Sequence, residues 1–130
     1  MKLTEVRPGA QLTIAHYDEQ QVTIKSGEDN QTTQYTTSFL LTAEQVIEAP
    51  PISCPKQLTI EQVHYFSSFS LELLLIASRD QQRCDDEALI QLAQQGIGVE
   101  FMTIGPACRT YNLLTFEARK VGLWVSMSTQ

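Results

Sequence analysis

The fold is decided by residues 96–125, GIGVEFMTIGPACRTYNLLTFEARKVGLWV, which read as a strand, a loop, a helix and a second strand. Val99 to Met102 is a short apolar run of the kind found in buried strands. Gly105 and Pro106 should stop that strand and open a helix, because a proline at the first helical position gives up no intrahelical hydrogen bond. The sequence therefore predicts a helix from Pro106 to about Arg119.

This predicted helix is apolar on two faces. The face expected to pack against a sheet repeats at spacings of four, three and four residues: Ala107, Tyr111, Leu114 and Ala118. Leu113 and Phe116 project roughly opposite, beside Arg109. A helix that is apolar on two sides is either buried on both sides within its own chain or contacts another chain. Leu113 and Phe116 thus form a predicted interaction patch, covered by the β-rich half of the chain or by another chain, with a homodimer as one alternative.

The first half of the chain alternates in hydrophobicity with period two. From Gln11 to about Glu48, apolar and polar residues alternate along the chain, and Thr, Tyr, Val and Ile are frequent. This pattern is typical of antiparallel strands. Short polar segments at 18–20 and 26–31 are expected to be hairpin loops.

The second half alternates strands with helices. Glu72 to Ala77 is nearly continuous in apolar residues, as expected for a strand buried on both faces. Strands are predicted at 72–77, 98–102 and 121–126, and helices at 86–95 and 106–119. Right-handed crossovers make these three strands parallel. The predicted fold is therefore α/β: a single domain over residues 1–130 with an antiparallel β-rich N-terminal half and a βαβαβ C-terminal half.

Composition excludes several classes of partner. A chain of 130 residues is long enough for one domain with its own core, and 42% hydrophobic residues are typical of a soluble globular protein. The net charge of -6, with nine scattered Lys and Arg residues, argues against nucleic acid. No apolar run approaches the ~18 residues of a spanning helix, so we expect no membrane insertion.

Cysteine usage and the N-terminus indicate the compartment. The three cysteines, Cys54, Cys84 and Cys108, are odd in number and form no CxxC motif, so three free thiols in a reducing compartment are expected. Residues 1–10 lack the apolar core of a signal peptide. The sequence therefore predicts a cytoplasmic protein.

No catalytic, metal or cofactor motif is found. His16 and His64 have no second ligand at metal spacing, and the loop SRDQQRCDD lacks the glycines of a dinucleotide fingerprint. Cys108 lies in the first turn of a helix, where the dipole lowers a thiol pKa, although a small buried hydrophobe needs no such role. We predict no catalytic residue, metal or cofactor.

A ligand pocket is predicted at the carboxyl ends of the parallel strands, where open α/β sheets bind ligands. The strand ends lie at 78–80 and 103–109, and a helix start offers free N–H groups to an anion. The candidate residues are Thr103, Ala107, Cys108, Arg109 and Asn112. The alternative is structural, with Thr103 capping the loop and Arg109 pairing with a surface acid.

A family resemblance is carried by the same region. The residues concerned are Gly96–Glu100, Met102, Thr103, Ala107–Asn112, Leu114, Glu117, Arg119 and Val121. This pattern resembles a small domain family of unknown function that includes mitochondrial respiratory complex I (NADH dehydrogenase) assembly factor 3 and many uncharacterised prokaryotic proteins. The resemblance implies an α/β domain in β and β/α layers. For the mitochondrial member alone, it implies a role in assembling a membrane complex through protein contacts.

Two classes of function follow. The first is a non-catalytic protein-interaction or assembly-factor-like module, favoured by the resemblance and by the helix that is apolar on two faces. The second is a binder of small anions or small molecules, or an enzyme, with its pocket around Thr103 to Arg109. Fold alone does not choose between them, because function resides in sites.

Overall fold

The computed structural model describes residues 11–52 and 54–127, so the expectation for residues 1–10 lies outside the described chain. The described residues form three α-helices, α1 (Ile60–Val63), α2 (Asp86–Gln94) and α3 (Ile104–Phe116). Helix α1 is flanked by 3-10 turns at Pro55–Gln57 and His64–Phe69. The strands are β1 (Leu12–Tyr17), β2 (Val22–Ser26), β3 (Thr32–Tyr35), β4 (Phe39–Leu41), β5 (Val46–Glu48), β6 (Leu73–Ser78), β7 (Gly98–Met102) and β8 (Val121–Ser126).

A five-stranded sheet in the order β5-β4-β8-β6-β7 forms the centre of the molecule. Strand β6 pairs in parallel with both β7 and β8, which confirms the three predicted parallel strands. Both faces of β6 are buried, as its continuous apolar run predicts: Leu74 and Ile76 face one layer, and Leu75 and Ala77 face the other.

The first half of the chain divides between two sheets. Strands β1, β2 and β3 form a separate antiparallel sheet in which Ile14 pairs with Ile24. Strands β4 and β5 instead join the parallel strands, because β4 pairs antiparallel with β8. The predicted antiparallel strands are confirmed, and their division between two sheets is a feature that the alternating pattern did not reveal.

Helices cover the two faces of the central sheet in separate layers. On one face, α3 and the three-stranded sheet share a core that contains Ala107, Cys108 and Tyr111. On the other face, α1 and α2 pack over a second core around Phe66 and Trp124. The chain thus has the predicted mixed α/β architecture, and α3 lies between the central sheet and the β1 edge of the smaller sheet.

Helix α3 begins at Ile104, two residues before the predicted start at Pro106. Thr103 takes an extended conformation before it, with φ −76° and ψ 170°. Gly105 and Pro106 fit inside the first turn because backbone N–H groups there have no intrahelical acceptor. The helix start therefore lies closer to the end of β7 than the sequence suggested.

Helix α3 ends at Phe116, three residues before the predicted end at Arg119. Ala118 adopts a left-handed conformation with φ 60°. Its N–H donates to Thr115 O at 3.0 Å, and the Arg119 N–H donates to Leu114 O at 3.0 Å. This is the Schellman pattern of hydrogen bonds that closes many helices. Ala118, predicted on the sheet-facing side, therefore lies outside the helix and is exposed.

Candidate functional site

Arg109 folds back over the first turn of α3, onto the ring of Tyr17 at the end of β1. Its Nη1 donates to the Tyr17 hydroxyl at 2.7 Å, and the guanidinium carbon lies 6.0 Å from the Tyr17 ring centroid. A Cβ built on Gly105 would lie 3.2 Å from Tyr17 Cε1 and 3.4 Å from Arg109 Nη1. Glycine at this position therefore leaves room for both side chains beside the helix start.

A second arginine tethers the same hairpin from the end of β6. Arg79 Nε donates to Glu19 O at 2.6 Å, and its Nη1 donates to Met127 O at 3.2 Å. The turn between β1 and β2 is therefore fixed at two points, by Arg79 and by Arg109. Among the described residues, the hydrogen bonds of both guanidiniums go to neutral oxygens, so both positive charges lack a carboxylate partner there.

Asn112 lies against β1 and not at the helix start. Its Oδ1 accepts the Ile14 N–H at 2.8 Å, and its Nδ2 donates to Ile14 O at 3.0 Å. Tyr111 adds a hydrogen bond from its hydroxyl to Leu12 O at 2.9 Å. These contacts satisfy backbone groups along the edge strand β1. The amide of Asn112 is thus occupied, and the structure does not bring it together with Arg109.

Two other residues of the predicted pocket are parts of the core. Ala107 and Cys108 are fully buried. Burial raises the pKa of the Cys108 thiol from 9.0 to about 12, and the charge of Arg109 lowers it only in part. The thiol is therefore neutral at physiological pH, and the helix dipole does not activate it. Thr103 is half-buried, and its side chain does not cap α3.

The cysteines are three free thiols, which confirms the prediction from their number and spacing. Burial also raises the pKa of Cys84 to about 12. Within residues 11–52 and 54–127, no group of three or more His, Cys, Asp and Glu side chains is arranged to hold a metal ion.

An apolar surface lies along the outer side of α3. Phe116 is 81% exposed and Leu113 is 59% exposed. The expectation that the β-rich half covers them is wrong, because the three-stranded sheet packs beside α3 and leaves its outer side free. Coverage by another chain stays a prediction.

Exposed residues on α3 follow one another at spacings of three, four and three, which places them in a single stripe. The half-exposed ring of Tyr17 extends this stripe at the N-terminal end of the helix. We call this surface the α3 patch, and it consists of Tyr17, Pro106, Arg109, Leu113 and Phe116. Ile90, exposed by 55%, lies on α2 on the other side of the central sheet.

A cavity of about 590 Å³ opens at the C-terminal end of α3, far from the predicted pocket. Its lining includes Thr115, Arg119 and Lys120. Arg119 Nε lies 2.9 Å from Glu72 Oε1, and the hydrogen bond from Arg119 lowers the pKa of that carboxyl group. Part of the positive charge at this cavity is therefore balanced within the chain.

The described helices include none that is long and apolar enough to cross a membrane. A curated relative from Francisella tularensis, called "13 kDa major membrane protein", is 31% identical over 90 residues, which cover 68% of this chain and 73% of the relative.

Solved structures share the fold. A Xanthomonas campestris protein solved by NMR matches with a TM-score of 0.75 at 25% identity. The match covers 98% of this chain and 92% of the Xanthomonas chain. A Bordetella pertussis protein described as a Mth938-like domain matches with a TM-score of 0.70 at 21% identity. This match covers 97% of this chain and 92% of the Bordetella chain.

The match to a known family spans most of the described chain. Residues 14–125 match the family described as "Protein of unknown function (DUF498/DUF598)". This span runs from β1 into β8 and includes α3 with every residue of the α3 patch. The resemblance noted from residues 96–121 is confirmed at the level of the family, and the chain belongs to the DUF498/DUF598 family of proteins of unknown function.

Proposed function

We propose that this protein is a non-catalytic interaction module that binds another protein chain through the α3 patch. The observation that carries the proposal is the exposure of Phe116, 81%, next to Leu113, 59%, on one side of a well-formed helix. Exposed apolar residues scattered singly are common, but neighbouring ones on a rigid element are typical of contact surfaces.

The chemistry of the α3 patch favours a protein partner. Tyr and Arg are enriched among the residues that contribute most to protein interfaces, and aromatic residues in general are frequent in the interface core. Arg109 is held in place by Tyr17 before any partner arrives, which lowers the entropy lost on binding. The stripe of Pro106, Arg109, Leu113 and Phe116 has the spacing by which one helix packs against another.

The two buried thiols, Cys84 and Cys108, are not activated as nucleophiles, which supports a non-catalytic role. The guanidinium of Arg79, after β6, donates to a backbone oxygen, and that of Arg109, on α3, donates to the Tyr17 hydroxyl. We also propose a cytoplasmic location, which three free thiols support because disulfides are rare in a reducing compartment.

Affinity capture with matched variants tests this proposal. The baits are the wild type, the double variant Leu113→Ala/Phe116→Ala and the control Ile90→Ala, each recovered from cells that naturally make the protein. We expect at least one protein to be captured by the wild type and the control at equal levels and lost from the double variant. Equal recovery by all three baits would contradict the proposal.

A second candidate function is anion binding at the start of α3. It is favoured by the position of Arg109, whose guanidinium lies over the first turn and is hydrogen-bonded to a neutral hydroxyl. The positive end of the helix dipole and the uncapped N–H groups of that turn add to the attraction. A phosphate or carboxylate would bind here. This candidate depends on Arg109 and is independent of Phe116.

A further inference from the structure

We infer that the cavity at the C-terminal end of α3 binds a small carboxylic acid with an apolar chain or ring, whose carboxylate is held by Lys120 and Arg119. Among the described residues, the lining includes none of the α3 patch. This site is therefore separate from the proposed protein contact and from the anion candidate at Arg109.

The cavity lies at the edge of the central sheet opposite the pocket predicted from the sequence. Its lining comes mainly from three segments: the β4–β5 turn (42–45), the end of the second 3-10 turn with the residues after it (68–71), and the α3–β8 connection (118–121). These segments meet at the amino ends of β6 and β8. Its volume of about 590 Å³ falls within the roughly 300–1,000 Å³ of small-molecule sites.

Hydrogen bonds hold the cavity walls in place without a ligand. The Thr42 hydroxyl accepts the N–H groups of Glu44 at 3.2 Å and Gln45 at 3.3 Å, which fixes the β4–β5 turn. The Glu72 N–H donates to Lys120 O at 2.7 Å, which joins the α3–β8 connection to the start of β6. A site that is formed before binding loses less entropy when a ligand enters.

The charged groups favour an anion with a single charge. Lys120 and Arg119 both line the cavity, and Glu44 is the one carboxylate among the described lining residues. Glu72 offsets part of the charge of Arg119 through the contact at 2.9 Å, whereas the Lys120 ammonium has no ion pair with a described residue. Lys120 is therefore the main anchor. A dianion such as phosphate would meet stronger repulsion from Glu44 and Glu72 than a single carboxylate.

The rest of the lining favours an apolar body next to the carboxylate. Phe69, Leu71 and Val121 line the cavity, and the ring of Phe69 is half-buried. Because Val121 follows Lys120 directly in the chain, apolar side chains lie beside the main anchor. Sites for small molecules commonly combine an apolar lining with a few polar groups that fix the orientation of the ligand. An acidic head with an aliphatic or aromatic body matches both parts of this cavity.

Hexanoate is a suitable probe, titrated into the isotope-labelled full chain and followed by the NMR shifts of backbone amides. We expect saturable shifts at residues of all three segments, such as Ala43, Ser70 and Lys120, with a Kd of about 1 mM or below. Acetate lacks the apolar body and should bind at least about tenfold more weakly. Hexylamine, which has the same chain and the opposite charge, and phosphate should give no saturable shifts at these amides.

A matched pair of charge variants tests the anchor. Lys120→Gln should weaken hexanoate binding by about three- to tenfold, because it removes the unpaired ammonium. The control Lys56→Gln removes the same charge from an exposed residue outside the described lining and should leave the affinity unchanged. The amide spectrum of each variant verifies that it is folded.

Three results would overturn the inference. The first is the lack of saturable shifts at the lining residues with hexanoate up to about 10 mM, beyond the weak end of specific binding. The second is an equal effect of Lys120→Gln and Lys56→Gln. The third is binding of hexylamine or phosphate to the same amides as tightly as hexanoate. Each of these results leaves the α3 patch untested, and loss of protein binding at Phe116 leaves this cavity untested, so the two failures are distinguishable.

Discussion

Arg109 Nη1 and the Tyr17 hydroxyl oxygen lie 2.7 Å apart, although the two residues are 92 positions apart in the sequence. This bond joins the end of β1 to the first turn of α3. It holds the guanidinium beside the apolar side of the helix, where Leu113 and Phe116 are exposed. A surface that combines a fixed cation with an exposed phenyl ring is the basis of the proposed function.

Phe116 should contribute little to the stability of the isolated chain. We expect Phe116→Ala to change the free energy of unfolding by less than about 0.5 kcal/mol, because the ring is exposed. The control Phe66→Ala should cost about 3 to 5 kcal/mol, since that ring is fully buried and lies 5.7 Å from the Trp124 ring. Urea unfolding at low protein concentration measures both, and a loss above about 2 kcal/mol for Phe116→Ala would show that the ring is buried.

Asn112 should stabilise the fold by holding β1. Asn112→Ala removes two hydrogen bonds to Ile14, and we expect it to cost about 1 to 3 kcal/mol. Asn112→Asp should cost at least as much at neutral pH, because its carboxylate would face Ile14 O. At a pH below about 4 the carboxyl is protonated and can donate to Ile14 O. The free energy of unfolding of the Asp variant should therefore rise relative to that of the Ala variant. A cost below about 0.5 kcal/mol for Asn112→Ala would contradict the role of the amide.

The buried thiols should make the protein less stable in alkali. Burial raises the pKa of both Cys84 and Cys108 from 9.0 to about 12. Between these values the unfolded chain releases protons that the folded chain retains, so stability is full below about pH 9 and falls as the pH rises toward 12. Urea unfolding from pH 8 to pH 11 measures how steeply the free energy of unfolding falls with pH. Replacing both cysteines by Ala should make this fall less steep.

Thiol labelling gives an independent check on the same burial. At pH 8, a thiol reagent should leave Cys84 and Cys108 unmodified in the folded protein and modify both in urea. Rapid modification of Cys108 in the folded protein would contradict the buried, neutral thiol.

Anion binding at the start of α3 can be separated from protein binding by one substitution. If this site functions, calorimetric titration with phosphate should give heat with the wild type and with Leu113→Ala, and none with Arg109→Ala. The binding should weaken with added salt. Equal heat from the wild type and Arg109→Ala, or none from either, would eliminate this second candidate.

The sequence predicted the parts of the fold that depend on local pattern. The strand predicted to start at residue 72 starts at Leu73, and the helix predicted to start at residue 86 starts at Asp86. The ends of α3 were missed for local reasons. Its first turn includes Pro106, the predicted first residue of the helix, and its end depends on the left-handed conformation of Ala118, which non-glycine residues seldom adopt.

The candidate site was harder to predict because its contacts cross the chain. Leu113 and Phe116 were found from helical spacing, and their exposure depends on where the three-stranded sheet packs. Tyr17 lies within the segment predicted as antiparallel strands, and no local signal places it beside Arg109. Asn112 was grouped with the pocket by its position in the sequence, and only the packing of α3 on β1 explains its role.

Site-specific photo-crosslinking at position 116 tests the central claim most directly. A photoreactive phenylalanine analogue replaces Phe116 in cells that naturally make the protein, and Ile90 is replaced in the same way as the control. The account predicts a discrete crosslinked product at position 116, removed by Leu113→Ala and absent at position 90; its mass distinguishes a second copy from another protein. No product at position 116, or the same products at both positions, would contradict the claim that the α3 patch is a protein contact surface.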